Sequence, residues 1–279
     1  MVSIASIAGL WATACTLKRL PDVHFQATPQ HVVEEMLEMA KVTKDDLVYD
    51  LGCGDGRFVI TAAKKYGARG VGIDIDPKRV QESQQSAIEA GVTDHVRFIE
   101  DDLFTTRINE ATVITLYLHK DLNVRLRPRL LRELKPGSRI ASYVYDMGEW
   151  KPDAMRSFGN PTFSALSYYV WVIPADVAGV WRCSVSVQEG DLPYTLRFKQ
   201  NFQEVNGHVT IPGGRRIRIK EAELAGDRLN FAVKYREGNK QEVVMQFNGR
   251  VSGDTLQGSV EVTGGALPGK HTWTARHNR

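Results

Sequence analysis

The densest group of residue types that could do chemistry lies between Val48 and Arg57, where Gly52, Gly54 and Gly56 alternate with Cys53 and Asp55, just after Asp50. An apolar run from Leu47 to Leu51 precedes the glycines and an apolar-periodic stretch from Phe58 follows, which predicts a strand, a tight turn and a helix start. Backbone without Cβ atoms lets a ligand approach closely, as in a nucleotide-type pocket. A dinucleotide fingerprint needs its third glycine at position 57, where Arg57 stands, and a pyrophosphate would face Asp50 and Asp55. The loop suits a cationic ligand instead, one carrying an ammonium and a sulfonium.

A ribose on such a ligand needs an acid at the end of the next strand, roughly twenty residues beyond the glycines. The run from Arg69 to Asp74 supplies it in Asp74, and Asp76 followed by Pro77 predicts a helix N-cap with proline at the first helical position. A third apolar run, Val96 to Ile99, ends in Glu100, Asp101 and Asp102. Three successive parallel strands would thus deliver acids to their carboxyl ends, the edge at which an open α/β sheet binds its ligand.

These residues, with the stretches Phe25 to Val33, Gly70 to Pro77, Asp102 to Phe104, Ala111 to Leu118 and Leu126 to Gly137, carry a resemblance. From Pro21 to Asp153 the chain resembles class I S-adenosylmethionine-dependent methyltransferases. Among these it is most similar to the small protein-lysine methyltransferases, which comprise an archaeal broad-specificity enzyme and the mitochondrial enzymes acting on ATP synthase and on the adenine nucleotide translocase. The resemblance implies S-adenosyl-L-methionine as cofactor, no metal, and a Rossmann-like, mostly parallel sheet. It implies that Asp50 and the backbone of Gly52 and Gly54 hold the methionine end, Asp74 the ribose and Asp102 the adenine amino group, that Cys53, Ile75 and Leu103 also bind the cofactor, and that Phe25 and Thr28 close over it. The family has glycine before the adenine-binding acid, where this chain has Asp101. Tyr117 would face the transferred methyl, and Tyr117 and Asp146 are the candidate proton acceptors.

Plainer readings stand beside these roles. Tyr117 also reads as a packed aromatic with a satisfied hydroxyl, His119 as the cap or solvated start of a helix near Lys120, and Asp146 as a turn acid before Met147 and Gly148. Arg125, Arg127, Arg129 and Arg132 alternate with Leu122, Leu126, Leu130 and Leu134, which predicts a solvated face on an amphipathic helix.

The 279-residue chain, 42% hydrophobic and 25% charged, is long enough for two cores, and its net charge of +3 does not call for nucleic acid. We divide it into a leader over 1–20, a methyltransferase domain over 21–175 and a β-rich domain over 176–279. The last of these holds 15 basic against 11 acidic residues. Its short alternating runs, such as Leu229 to Tyr235 and Glu242 to Phe247, are punctuated by Gly226-Asp227, Asn248-Gly249 and Gly253-Asp254, which predicts consecutive antiparallel strands in a sandwich or a small up-and-down barrel. The basic run Arg215 to Lys220 reads either as a binding edge or as a charged edge that discourages aggregation.

The leader, Ile4 to Ala14 followed by Cys15, resembles the cleavage region of a bacterial lipoprotein signal, yet no Lys or Arg precedes it. A start upstream of Met1 would supply the missing positive region, giving an exported or membrane-anchored protein. Without one, a cytoplasmic enzyme with a short leader is expected, in the compartment where the cofactor is made. Three cysteines, Cys15, Cys53 and Cys183, form no disulfide framework. The expected activity is methyl transfer to lysines of a protein substrate by direct in-line displacement. A small-molecule methyltransferase and a non-catalytic cofactor-binding or envelope module are the alternatives.

Overall fold

The computed structural model describes residues 20–158, 166–238 and 241–278, so residues 1–19 of the leader, with the signal-like run, lie outside the described residues. The alternation of apolar runs and amphipathic stretches resolves into α1 (Gln30–Met39), β1 (Leu47–Leu51), α2 (Arg57–Tyr66), β2 (Arg69–Asp74), α3 (Pro77–Ala90), β3 (Val96–Glu100), β4 (Val113–Leu116), α4 (Lys120–Glu133) and β5 (Arg139–Tyr143). Two further strands, β6 (Ala154–Phe158) and β7 (Leu166–Val172), complete one sheet. Its order is β3-β2-β1-β4-β5-β7-β6, with β1 to β5 parallel and the last two antiparallel.

The central strands are apolar runs because helices cover both faces of the sheet: every residue of β4 is buried, as is β1 from Val48 onward. Helix α1 buries Val32, Val33, Met36 and Leu37, one stripe at helical spacing. Helix α3 starts as expected, with the Asp76 side chain accepting from the Lys78 amide and Pro77 in the first turn, and stops at Gly91 in left-handed backbone. Sequential strand order reverses between β1 and β4, so a crevice opens beyond the carboxyl ends of these strands.

Two of the four arginines of α4, Arg127 and Arg129, depart from the solvated face expected of them, while Arg125 and Arg132 are exposed. Arg129 is nearly buried and donates to the Leu103 carbonyl at 2.7 Å and to Glu133, while Arg127 donates to the Met147 carbonyl at 2.7 Å. Arg125 lies 3.8 Å from the centre of the Phe104 ring. Guanidinium groups can tie loop carbonyls that helix periodicity does not report. His119 does occupy the N-cap position of α4, but its side chain makes no capping bond and its ring packs against Tyr145 at 5.3 Å.

The remaining strands are β8 (Gly179–Val187), β9 (Gly190–Asn201), β10 (Glu204–Thr210), β11 (Arg216–Ala225), β12 (Arg228–Glu237), β13 (Gln241–Ser252), β14 (Thr255–Thr263) and β15 (Gly269–His277). They form a closed antiparallel barrel in which β15 pairs with β8, so the barrel form holds and the sandwich does not. Alternation is plain in β9, where Tyr194, Leu196 and Phe198 point inward and Arg197 and Lys199 outward. Two expectations are corrected here. The run Arg215 to Lys220 is no edge, because β11 pairs with both β10 and β12. Asn248-Gly249 is no turn but the middle of β13: a Cβ on Gly249 would lie 2.5 Å from the Trp273 indole, so the glycine makes room inside the barrel.

Trp150 joins the two bodies. It is fully buried, stacks on Phe202 with centroids 5.5 Å apart, and donates its indole N–H to Gln203 at 2.8 Å, while Trp171 donates to the Trp150 carbonyl at 2.8 Å. Trp150→Ala should lower stability by ~3–5 kcal/mol, read as a shifted denaturant midpoint.

Candidate active site

The glycine turn is built from left-handed backbone that β1 and β2 hold in place. Gly52, Gly54 and Gly56 have φ of 84°, 55° and 80°, a region that other residues enter at a cost. The amides of Gly52 and Cys53 both donate to the Ile73 carbonyl, at 2.8 and 2.9 Å. Gly56 admits no side chain, because Phe98 and Ser83 fill the space where a Cβ would sit. Asp74 has a part that spacing alone did not reveal: Oδ2 accepts from the Gly54 amide at 2.9 Å and Oδ1 from the Asp76 amide at 3.0 Å, tying the turn to the end of β2.

A cavity of about 440 Å³ opens over this turn. Of the residues expected to bind the cofactor, Phe25, Thr28, Asp50, Gly52, Cys53, Asp74, Ile75, Asp102 and Leu103 line it, together with Tyr117. Gly54 lies beneath the Phe25 ring, whose nearest atom would be 2.1 Å from a Cβ on it. Asp102, rather than Asp101, faces the cavity; its Oδ1 also accepts from the Phe104 amide at 2.9 Å. Asp146 lies outside it, accepting from the Gly148 amide at 2.8 Å and pairing with Lys120 at 3.0 Å, so its carboxylate serves the turn.

Charge within the cavity is unevenly compensated. Arg57 is bound to Asp55 and to the Thr28 carbonyl, so the Asp55 charge is met locally and the segment before α1 is pinned to the turn. Arg57 went unrecognised in the sequence beyond the glycine it replaces, although its position beside Asp55 was visible. Arg79, likewise missed, lies over the Phe25 ring at 4.4 Å from its centre. Asp50 has no salt bridge of its own among the described residues, and Arg57 acts on it only through space, as a weak opposing charge. Asp50 is 3% exposed and accepts from the Thr115 hydroxyl at 2.7 Å. Burial pushes its carboxyl up to about 8 despite that bond, and the charges of Asp74 and Asp55 push the same way. A buried acid held against ionisation is a receptor for a cation, which would restore its charge.

Tyr117 sits where β4 ends, with its ring 4.8 Å from Tyr143 in an edge-on contact. Burial raises its phenol above the usual value, and Tyr143 and Tyr145 add to the shift. A phenol that keeps its proton at neutral pH positions a nucleophile rather than accepting a proton from it. Cys53 is buried and its thiol is pushed well up by burial, so it is inert packing at the base of the turn.

The fold and this cavity together define a class I methyltransferase. The family model for the ANTKMT methyltransferase domain matches residues 50–154. A protein-lysine N-methyltransferase of Saccharolobus islandicus is 43% identical over 134 residues, which are 48% of this chain and 83% of that one. The adenine nucleotide translocase lysine N-methyltransferase of Mus musculus is 29% identical over 129 residues, which are 46% of this chain and only 56% of that one. Among solved structures, one described as an RNA methyltransferase from Salinibacter ruber, in complex with S-adenosyl-L-homocysteine, is 48% identical. It covers 55% of this chain and 96% of its own, with a TM-score of 0.51. The chain belongs to the methyltransferase family of the archaeal enzyme, and its cofactor is S-adenosylmethionine. The donor set fits: a cradle without Cβ atoms, a buried acid without its own cation, and acids at the ends of the next two strands.

Two measurements test this geometry. Asp50 in the free fold holds its proton up to pH about 8, whereas an unfolded aspartate loses it near pH ~3.9. Between these values folding takes up a proton, so the free protein loses stability as pH rises. Binding that restores the carboxylate releases the proton again, so cofactor affinity should climb from pH 6 towards 8, by at most ~10-fold per unit, and then level off. Calorimetry in buffers of different ionisation enthalpy reads the released proton, and Asp50→Asn should abolish both slope and release. Gly54→Val, strained at positive φ and placed against Phe25, should weaken binding by ~10-fold or more in the same assay.

Proposed function

We propose that this enzyme methylates lysine side chains of protein substrates. S-adenosylmethionine supplies an electrophilic methyl; the residues of this chain must bring a neutral amine to it in line and keep water away. The observation that carries the reading is Tyr117, which lines the cofactor cavity at the end of β4 and is backed by a buried aromatic cluster: it packs edge-on against Tyr143, which stacks on Phe158 at 6.3 Å.

A lysine is charged in water, and presenting it neutral at pH 7 costs about 5 kcal/mol from its reference pKa near ~10.4. An aromatic, partly desolvated approach lowers that cost by disfavouring the ammonium. The Tyr117 ring face can attract methylated ammonium, and its hydroxyl oxygen can accept from an amine N–H, which leaves the lone pair free to aim at the methyl. Alignment of this kind is worth ~7–11 kcal/mol, more than the ~3–5 kcal/mol typical of a general base, so an approach without a nearby carboxylate base can suffice. With the cofactor bound, its sulfonium would give up the methyl to the amine nitrogen and remain as S-adenosylhomocysteine, and the nitrogen proton would pass to solvent. The 43% identity to a protein-lysine N-methyltransferase supports the same acceptor.

The relative described as an RNA methyltransferase supplies the competing outcome. With methyl-labelled cofactor and a cell extract, label should enter material that protease releases and nuclease does not, and mass spectrometry should place it on lysine. Label removed by nuclease, or confined to small metabolites, would overturn the reading. Tyr117→Ala should reduce turnover far more than cofactor affinity, while Tyr117→Phe should restore the packing but not the full rate.

A further inference from the structure

The barrel is plugged at one end and open at the other, and the division follows side-chain size along each strand. Towards the methyltransferase domain the interior holds Trp181, Phe198, Phe231, Phe247 and Trp273. Phe231 stacks on Phe247 at 4.6 Å and Trp273 meets Phe247 edge-on at 5.4 Å, with its indole donating to the Ser259 carbonyl at 3.1 Å. Further along the same strands most inward residues become aliphatic, with Val233 after Phe231, Met245 and Val243 before Phe247 and Val185 after Trp181, while Tyr194 and Tyr235 are the aromatic residues that line this end. Among the described residues these two do not stack into a plug like that of Phe231, Phe247 and Trp273, and a cavity of about 190 Å³ remains at the end away from the catalytic domain.

We propose that this cavity binds the alkyl chain of an anionic amphiphile such as a medium-chain fatty acid. Its wall includes Val185, Leu192, Val243, Met245 and Val262, with Tyr194 beside them, and cavities with predominantly apolar walls take up apolar ligands. Its volume lies below the ~300–1,000 Å³ of sites for drug-sized molecules, so a slender chain fits and a bulky ring system does not. Eight-stranded barrels have an interior of about this calibre. The rim carries the polar end. Tyr235 lines the mouth, and the exposed Arg215 guanidinium lies over its ring at 5.7 Å while donating to the Arg236 carbonyl. His271 borders the cavity with Nε2 3.2 Å from the Leu267 carbonyl. A carboxylate at the mouth therefore meets Arg215 while its chain stays dry. The site is separate from the cofactor cavity and does not depend on which acceptor is methylated.

The test is calorimetric titration of the full chain with decanoate, with decanol and phosphatidylglycerol vesicles in parallel. We expect one-to-one binding of decanoate, weakened tenfold or more by Val262→Trp, which fills the cavity, and several-fold by Arg215→Gln with decanol binding unchanged. Leu192→Trp on the opposite wall gives a second filling variant should the first fail to fold, and thermal melts report folding of each. Absence of decanoate binding, or undiminished binding in a folded filling variant, overturns the proposal. Equal loss of decanol and decanoate in Arg215→Gln overturns the anionic head group. Binding to vesicles without one-to-one uptake of decanoate places the affinity on the outer surface and overturns it as well.

Discussion

The contact between the Asp74 carboxylate and the Gly54 amide holds the site together. A turn whose three glycines all have positive φ has little intrinsic reason to keep one shape, since glycine loses more entropy on ordering than any other residue. Two carbonyl bonds from Ile73 and the carboxylate bond from Asp74 fix it against the end of β2. Because β2 lies between β1 and β3 in a sheet buried on both faces, the turn inherits the rigidity of the whole layer. Asp74 thus stands in two relations at once, to the backbone below it and to the cavity above.

Electrostatics then sets the character of the cavity. Of the acids around the turn, Asp55 is matched by Arg57, and Asp74 is met by backbone amides. Asp50 is left with one hydroxyl and a buried environment. A free carboxylate in such surroundings is costly, so the free enzyme holds it protonated and a cationic ligand gains from reversing that state. A site of this kind discriminates against anionic nucleotides without a repulsive residue placed for the purpose.

The barrel is coupled to the catalytic body through packed aromatics rather than through a flexible link. Trp150, Phe202 and Trp171 form one cluster across the junction, with Gln203 and Lys151 adding hydrogen bonds over the same surface. The plugged end of the barrel faces that junction and the open mouth faces away. Contact with the catalytic domain and access to the mouth are therefore separated along the barrel axis.

Much of this was legible in the residues themselves. The glycine spacing, the acid closing the second strand, Asp76 and Pro77 at a helix start, and the alternation beyond residue 176 are local signals, and local backbone physics is what sequence reports well. What sequence misread were features decided by distant partners. Gly249 looked like a turn and is a notch for Trp273, 24 positions further along. Arg129 looked solvated and is held by the Leu103 carbonyl; the Arg215 to Lys220 run looked like an edge until closure of the barrel removed every edge. Asp50 and Asp55 lie five residues apart, one at the end of a strand and one in the turn after it, and nothing in their order shows which is paired. Only the tertiary structure separated their charges, by bonding Asp55 to an arginine and leaving Asp50 buried against one hydroxyl, because charge compensation depends on which side chains meet in space and not on their order along the chain.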